Sequence, residues 1–145
     1  MKSIYVIKLQ DGLLMPAYDE DKELLKRIKT GEVVQMKFSK PRNFGNHKRF
    51  FAMLNCVIHN LPEDFPDCYQ NIDYLRTEVI IGTGYCEWRT SRGGVKYPVA
   101  KSMSFSSMDE MEFLELYEKV SNYLLKHFLI GVEKEVLEEN INLFM

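Results

Sequence analysis

No apolar run in this sequence approaches the ~20 residues that cross a bilayer. The opening Met1-Lys2-Ser3-Ile4 lacks a secretory-signal layout, because Lys8 and Asp11 interrupt any apolar stretch. The expected setting is therefore cytoplasmic, with no membrane contact. Cysteine is scarce. Cys56, Cys68 and Cys86 are odd in number and widely spaced, which argues against a disulfide framework and fits reduced thiols. There is no Cys-x-x-Cys, and His47, His59 and His127 stand far apart, so no zinc site is expected. Gly82-Thr83-Gly84 is too short for a phosphate loop and reads as a helix stop. No Gly-x-Ser-x-Gly occurs. No motif calls for a cofactor or a metal.

What is present is ordinary for a globular chain: 145 residues, 46% hydrophobic and 28% charged, expected to form a single domain over 1–145. The net charge of −2 carries no message, but its distribution does. Residues 33–60 hold Lys37, Lys40, Arg42, Lys48 and Arg49 and no acid. Residues 61–84 hold five acids against Arg76. Residues 85–107 hold Arg89, Arg92, Lys96 and Lys101 against Glu87, and residues 108–145 hold nine acids against three lysines. If the two basic segments meet in the fold, they make one positive face.

The stretch Lys40 to Asn55 organises the chain. Pro41 and Gly45 break regular structure, and Asn46 is expected to cap the helix that follows. Phe50, Met53, Leu54, Val57, Ile58 and Leu61 recur at helical spacing, which predicts a buried inner face. Arg42, His47, Lys48 and Arg49 then crowd an exposed helix start, where free N–H groups and the dipole favour an anion such as phosphate. An ordinary solvated helix start is the plainer alternative.

Around it, Ser3–Leu9 and Leu13–Pro16 read as strands joined at Asp11-Gly12. Asp19 is expected to cap a helix over 20–29, stopped by Gly31, and Val33–Ser39 alternates like a strand with one wet face. Glu63–Gln70 reads as an exposed, mobile loop. Asn71–Ile81 is a second core helix with Ile72, Leu75, Val79 and Tyr74 inward and Arg76 and Glu78 outward. Tyr85–Thr90 and Val95–Phe105 form a hairpin around Ser91-Arg92-Gly93-Gly94. Ser107-Met108-Asp109-Glu110 is a capping box before a helix to His127, with Met111, Leu114, Tyr117, Val120, Leu124 and Phe128 inward and Glu112, Glu115 and Glu118 outward. A short helix over 133–140 and an apolar tail, 141–145, close the chain; the tail docks on the core or on another subunit. The pattern points to an α+β fold, a small antiparallel sheet packed against three main helices.

Basic residues interleaved with aromatics are what single-strand binders use, cations for phosphates and flat rings for bases. The expected nucleic-acid-binding residues are Lys37, Arg42, Phe44, Asn46, His47, Lys48, Arg49, Trp88, Arg89, Arg92, Lys96, Tyr97 and Lys101. Trp88 as a core residue is the competing reading. A second function class is a protein-interaction module acting on a host replication or defence protein through the acidic helix 109–127 and the apolar tail. A third is a metal-dependent nuclease with Asp73, Glu78 and Glu87 as carboxylates and Lys96 or Lys101 as the positive partner. Their spacing matches no motif, so a non-enzymatic role is favoured.

Asn43-Phe44-Gly45-Asn46-His47-Lys48-Arg49-Phe50-Phe51-Ala52-Met53-Leu54-Asn55 resembles the central motif of a family of phage and prophage proteins, number 1367 in the domain-of-unknown-function series. Leu75-Arg76-Thr77-Glu78-Val79 leading to Gly84, Lys101-Ser102-Met103-Ser104-Phe105 followed by Met108-Asp109 and Glu112-Phe113, and Tyr117 with Val120, Leu124, His127, Phe128 and Leu129 agree as well. So do Tyr5-Val6-Ile7-Lys8 and Leu14-Met15-Pro16-Ala17. The likeness covers nearly the whole chain. More distantly, the layout is similar to phage recombination mediators of the NinB/Orf type. That resemblance implies a homodimer in the host cytoplasm that binds single-stranded or branched DNA in recombination or replication, beside the host single-strand binding protein. The acidic balance of this chain departs from that pattern and gives weight to protein partners.

Overall fold

A computed structural model describes residues 3–145. Contacts divide the chain into two compact units, Met1–Lys37 and Phe38–Met145. In the first, strands β1 (Val6–Lys8) and β2 (Leu14–Pro16) pair antiparallel, with Val6 opposite Pro16 and Lys8 opposite Leu14. Their turn needs Gly12, whose φ of +86° lies in the left-handed region that only glycine enters freely. Helix α1 runs Asp19–Leu25 and packs on β2. Asp19 is its first residue rather than its cap. Tyr18 holds the cap position without a side-chain bond. The helix also stops short of Lys29, because the Arg27 and Ile28 N–H groups bond three residues back, to Leu24 and Leu25, and tighten the end. Among the described residues of this unit only Asp21 is buried, accepting from the Tyr5 N–H at 3.3 Å.

The strand expected over Val33–Ser39 does not form. Among the described residues no ladder partner takes up its N–H and C=O groups, and Val34, Met36 and Phe38 stay exposed. The sheet is accordingly two separate two-stranded hairpins, and the fold is α+β.

In the second unit, helices α2 (Phe44–His59), α3 (Ile72–Gly82) and α4 (Glu110–His127) share one core. Phe50, Met53, Leu54 and Val57 meet Leu75, Val79 and Ile80, and Phe113, Leu116, Val120 and Leu124 complete it. Strands β3 (Cys86–Thr90) and β4 (Lys96–Ala100) form the other hairpin, and β4 packs on α3. Helix α5 (Lys134–Ile141) lies on α2 through Leu137 and Ile141, both buried. Ile141 and Phe144 of the tail dock in cis, Phe144 against His59 at 5.0 Å between ring centres, while Leu143 and Met145 stay exposed.

The caps expected for α2 and α4 lie near their positions, but on different residues. Asn43, not Asn46, caps α2, accepting from the Asn46 N–H at 3.2 Å. Asn71 caps α3 and Asp109 caps α4, accepting from Glu112 at 2.9 Å. The box at Ser107 is thus displaced by two residues, which frees Glu110 to turn inward. The inner face of α4 shifts with it. Met111 and Leu114 are exposed, and Phe113, Leu116 and Ser121 are buried in their place. Tyr74 is also exposed. Residues 63–70 are more than a loose loop: Asp67–Gln70 make a 3-10 turn, and Phe65 and Tyr69 pack against Phe128 with ring centres 5.2 and 5.3 Å away. Beyond Ala100 the chain leaves β4, so the strand does not reach Phe105. Among the described residues, no helix is long and apolar enough to cross a membrane.

Candidate functional site

The anion expected at the start of α2 is supplied by the chain itself. Glu110, 1% exposed, directs its carboxylate to that helix end, accepting from the Asn43 N–H and, at 2.9 Å, from the Asn46 side chain. Its own N–H donates to the Lys40 carbonyl at 2.8 Å. Arg42 belongs to the same knot. Its side chain is 3% exposed, with Nε 3.9 Å from Glu110. Nη1 donates to the carbonyls of Met103 (2.8 Å), Met108 (3.3 Å) and Ser104 (3.4 Å). The guanidinium lies over Phe113 at 3.9 Å and Phe105 at 4.7 Å. Burial pushes its pKa down and Glu110 partly restores it. A buried cation with this many partners is a fastening between α2 and the 103–110 segment, out of reach of an external phosphate.

His47 is held in one tautomer by Arg42. Nη2 lies 3.0 Å from Nδ1 and can only donate, so Nδ1 accepts and the proton sits on Nε2. Burial first, then Arg42 and Arg76, push its pKa below the usual imidazole value, so the ring stays neutral near pH 7. Arg49 is also engaged internally. It pairs with the Glu138 carboxylate and donates to Asn142 at 2.8 Å, clamping α5 to α2. Lys48 remains on the surface, 5.3 Å over the exposed Phe44 ring. Lys37 belongs to the first unit.

The hairpin keeps its charge outward. Arg89, Arg92, Lys96 and Lys101 are exposed, and none forms an ion pair among the described residues. Trp88 is 67% exposed, which answers the core reading of that residue. The register pairs Trp88 with Pro98 and Arg89 with Tyr97, so Trp88 and Tyr97 lie on opposite faces of the ribbon. Glu87 shares the Arg89 face.

The two basic segments border a cleft of about 640 Å³, but Lys37, Lys40, Arg42, Lys48 and Arg49 do not line it. α2 contributes His47 and Phe51, α3 contributes Arg76, Thr77 and Ile80, and the run from Val99 to Phe105 forms the remaining wall, Lys101 and Ser102 included. No acid lines it. Arg76, expected to point outward, is half-buried here. It pairs loosely with exposed Asp73 at 3.6 Å, and its Nε is buried with no partner among the described residues. Sequence spacing missed Arg76 because a single base among five acids reads as a surface counter-charge. Its position one residue after the buried Leu75, at the edge of the inner face, was the available signal. The carboxylates Asp73, Glu78 and Glu87 do not gather, and among the described residues no three His, Cys, Asp or Glu side chains form a group able to hold a metal ion.

No curated protein and no solved structure matches the chain. One family model does, over residues 1–62 and 57–142, which is nearly the whole length. The chain therefore belongs to the family described as "Protein of unknown function (DUF1367)".

Proposed function

We propose that this is a phage- or prophage-type accessory protein that binds single-stranded or branched DNA in recombination or replication and performs no chemistry on it. One observation carries the reading: Arg89, Arg92, Lys96 and Lys101 are exposed without ion-pair partners among the described residues, on and beside a two-stranded ribbon that also exposes Trp88, with Lys96 on the tryptophan's face and Arg89 on the other. A cation without an internal partner is available to a phosphate, and an exposed indole stacks on any base. The contacts fall to Arg89, Arg92, Lys96, Lys101 and Trp88, with Tyr97, Lys48 and Phe44 beside them. Arg42, Asn46 and Arg49 serve the fold. The distant NinB/Orf-type layout supports a homodimer in the host cytoplasm that works beside the host single-strand binding protein.

Fluorescence anisotropy with a labelled single strand tests this. Four phosphate contacts predict a log–log salt slope of about −3. No affinity at about 50 mM salt, the low end of the usual range, contradicts it.

In the first unit Ile7, Leu13, Leu14, Met15 and Tyr18 are all exposed, and no apolar residue is buried among those described. Apolar surface on so small a unit favours a protein partner, such as a host replication or defence protein. Host proteins that stay bound after nuclease treatment support this role. Loss of all of them with the nucleic acid contradicts it.

A further inference from the structure

We propose that the cleft walled by α2, α3 and the 99–105 segment is a phosphomonoester site that holds the terminal phosphate of a nucleotide between Arg76 and Lys101. The ligand class rests on the nucleic-acid reading above; the site itself rests on the cleft. Its volume, about 640 Å³, falls in the range that encloses small molecules and exceeds what a bare phosphate fills. Its lining carries Arg76, half-buried, and the exposed Lys101, whose Nζ lies 5.3 Å over the Tyr85 ring, and no acid. A phosphomonoester near pH 7 carries close to two negative charges, whereas an internal phosphodiester carries one. Two cations without a lining carboxylate match the former.

Donor chemistry agrees. The Arg76 Nε–H is buried with no hydrogen-bond partner among the described residues, so nothing within the chain holds this edge of the guanidinium. An oxyanion in the cleft pairs with the half-buried guanidinium in place of Asp73, whose side chain is 77% exposed and only loosely paired. The Thr77 and Ser102 hydroxyls add neutral donors. His47, kept as the Nε2–H tautomer by Arg42, adds another N–H without a further charge. Phe51 and Phe105 supply apolar wall for the sugar and base.

The phosphate has two sources, a strand end or a free nucleotide. The test compares labelled oligonucleotides ending in a 5′-phosphate, a 3′-phosphate or hydroxyls only, together with a free deoxynucleoside monophosphate, on the wild-type protein, Arg76→Ala and Lys101→Ala. Lys101 is exposed, so its variant folds even if Arg76→Ala does not. A phosphorylated end that binds about tenfold tighter than a hydroxyl end, near 1.4 kcal/mol, with the preference abolished in Lys101→Ala, supports the site and names the strand end. Tight monophosphate binding lost in Lys101→Ala, with no preference among oligonucleotides, supports the site and names the free nucleotide. Oligonucleotide binding blind to phosphorylation, with no monophosphate binding, overturns the site and leaves the DNA reading in place. Monophosphate binding without oligonucleotide binding keeps the site and removes the DNA reading. Absence of both removes both.

Discussion

Glu110 and Arg42 set the chemistry of the α2 start. Glu110→Ala leaves the Arg42 guanidinium without its one carboxylate and uncaps the Asn43 N–H. The expected cost is about 3–5 kcal/mol, the loss for one member of a buried pair, read as a lower urea midpoint; a change below about 1 kcal/mol contradicts it. Sequence pattern could not show this pair. It joins residues 68 positions apart, and an acid inside a capping box reads as a surface residue. His47 gives a pH test. Its folded pKa is depressed, so on acidification the unfolded chain takes up a proton near pH 6.5 before the folded one does. Stability therefore falls as pH drops through that value and levels off below the folded pKa. His47→Gln should flatten this part of the stability–pH curve, and an unchanged slope counts against the assignment. Ser121 is fully buried, and its hydroxyl has no hydrogen-bond partner among the described residues. Ser121→Ala should stabilise the protein by about 1 kcal/mol, visible as a higher melting temperature, and destabilisation contradicts it.

At the scale of elements, α3 ends against the ring of Tyr123. A Cβ built on Gly82 lies 2.3 Å from that ring, so Gly82→Ala should cost about 1–3 kcal/mol by overpacking. A neutral result in thermal melts would mean that the two helices yield. Arg49 and Glu138 fasten α5 to α2, and Arg49→Ala should lower hydrogen-exchange protection in 134–141 before it lowers that of α2. Equal loss in both helices argues against a local clamp. Helices α2 and α3 were legible from 3.6-residue spacing because their inner residues are all apolar. In α4 the spacing misplaced the first turn, since the buried Glu110 breaks the apolar pattern there. The hairpin β3–β4 was legible from its glycine turn. The false strand over 33–39 shows the reverse case: alternation permits a strand, and a partner makes one.

For the whole molecule, a net charge of −2 hides an uneven surface. Three of the expected contacts, Arg42, Asn46 and Arg49, are turned to internal bonds. Whether a cation points at solvent or at its own chain depends on tertiary partners, which local spacing does not encode. The hairpin cations, whose neighbours are glycine and exposed strand, were legible for that reason. The most direct test of the account compares single-strand DNA affinity for the wild-type protein and for Arg89→Glu with Arg92→Glu, at low salt and with folding checked by circular dichroism. The charge-reversed hairpin should keep its fold and lose affinity by at least about 100-fold, two phosphate contacts at roughly 1.4 kcal/mol or more each. Undiminished binding by the folded variant contradicts it.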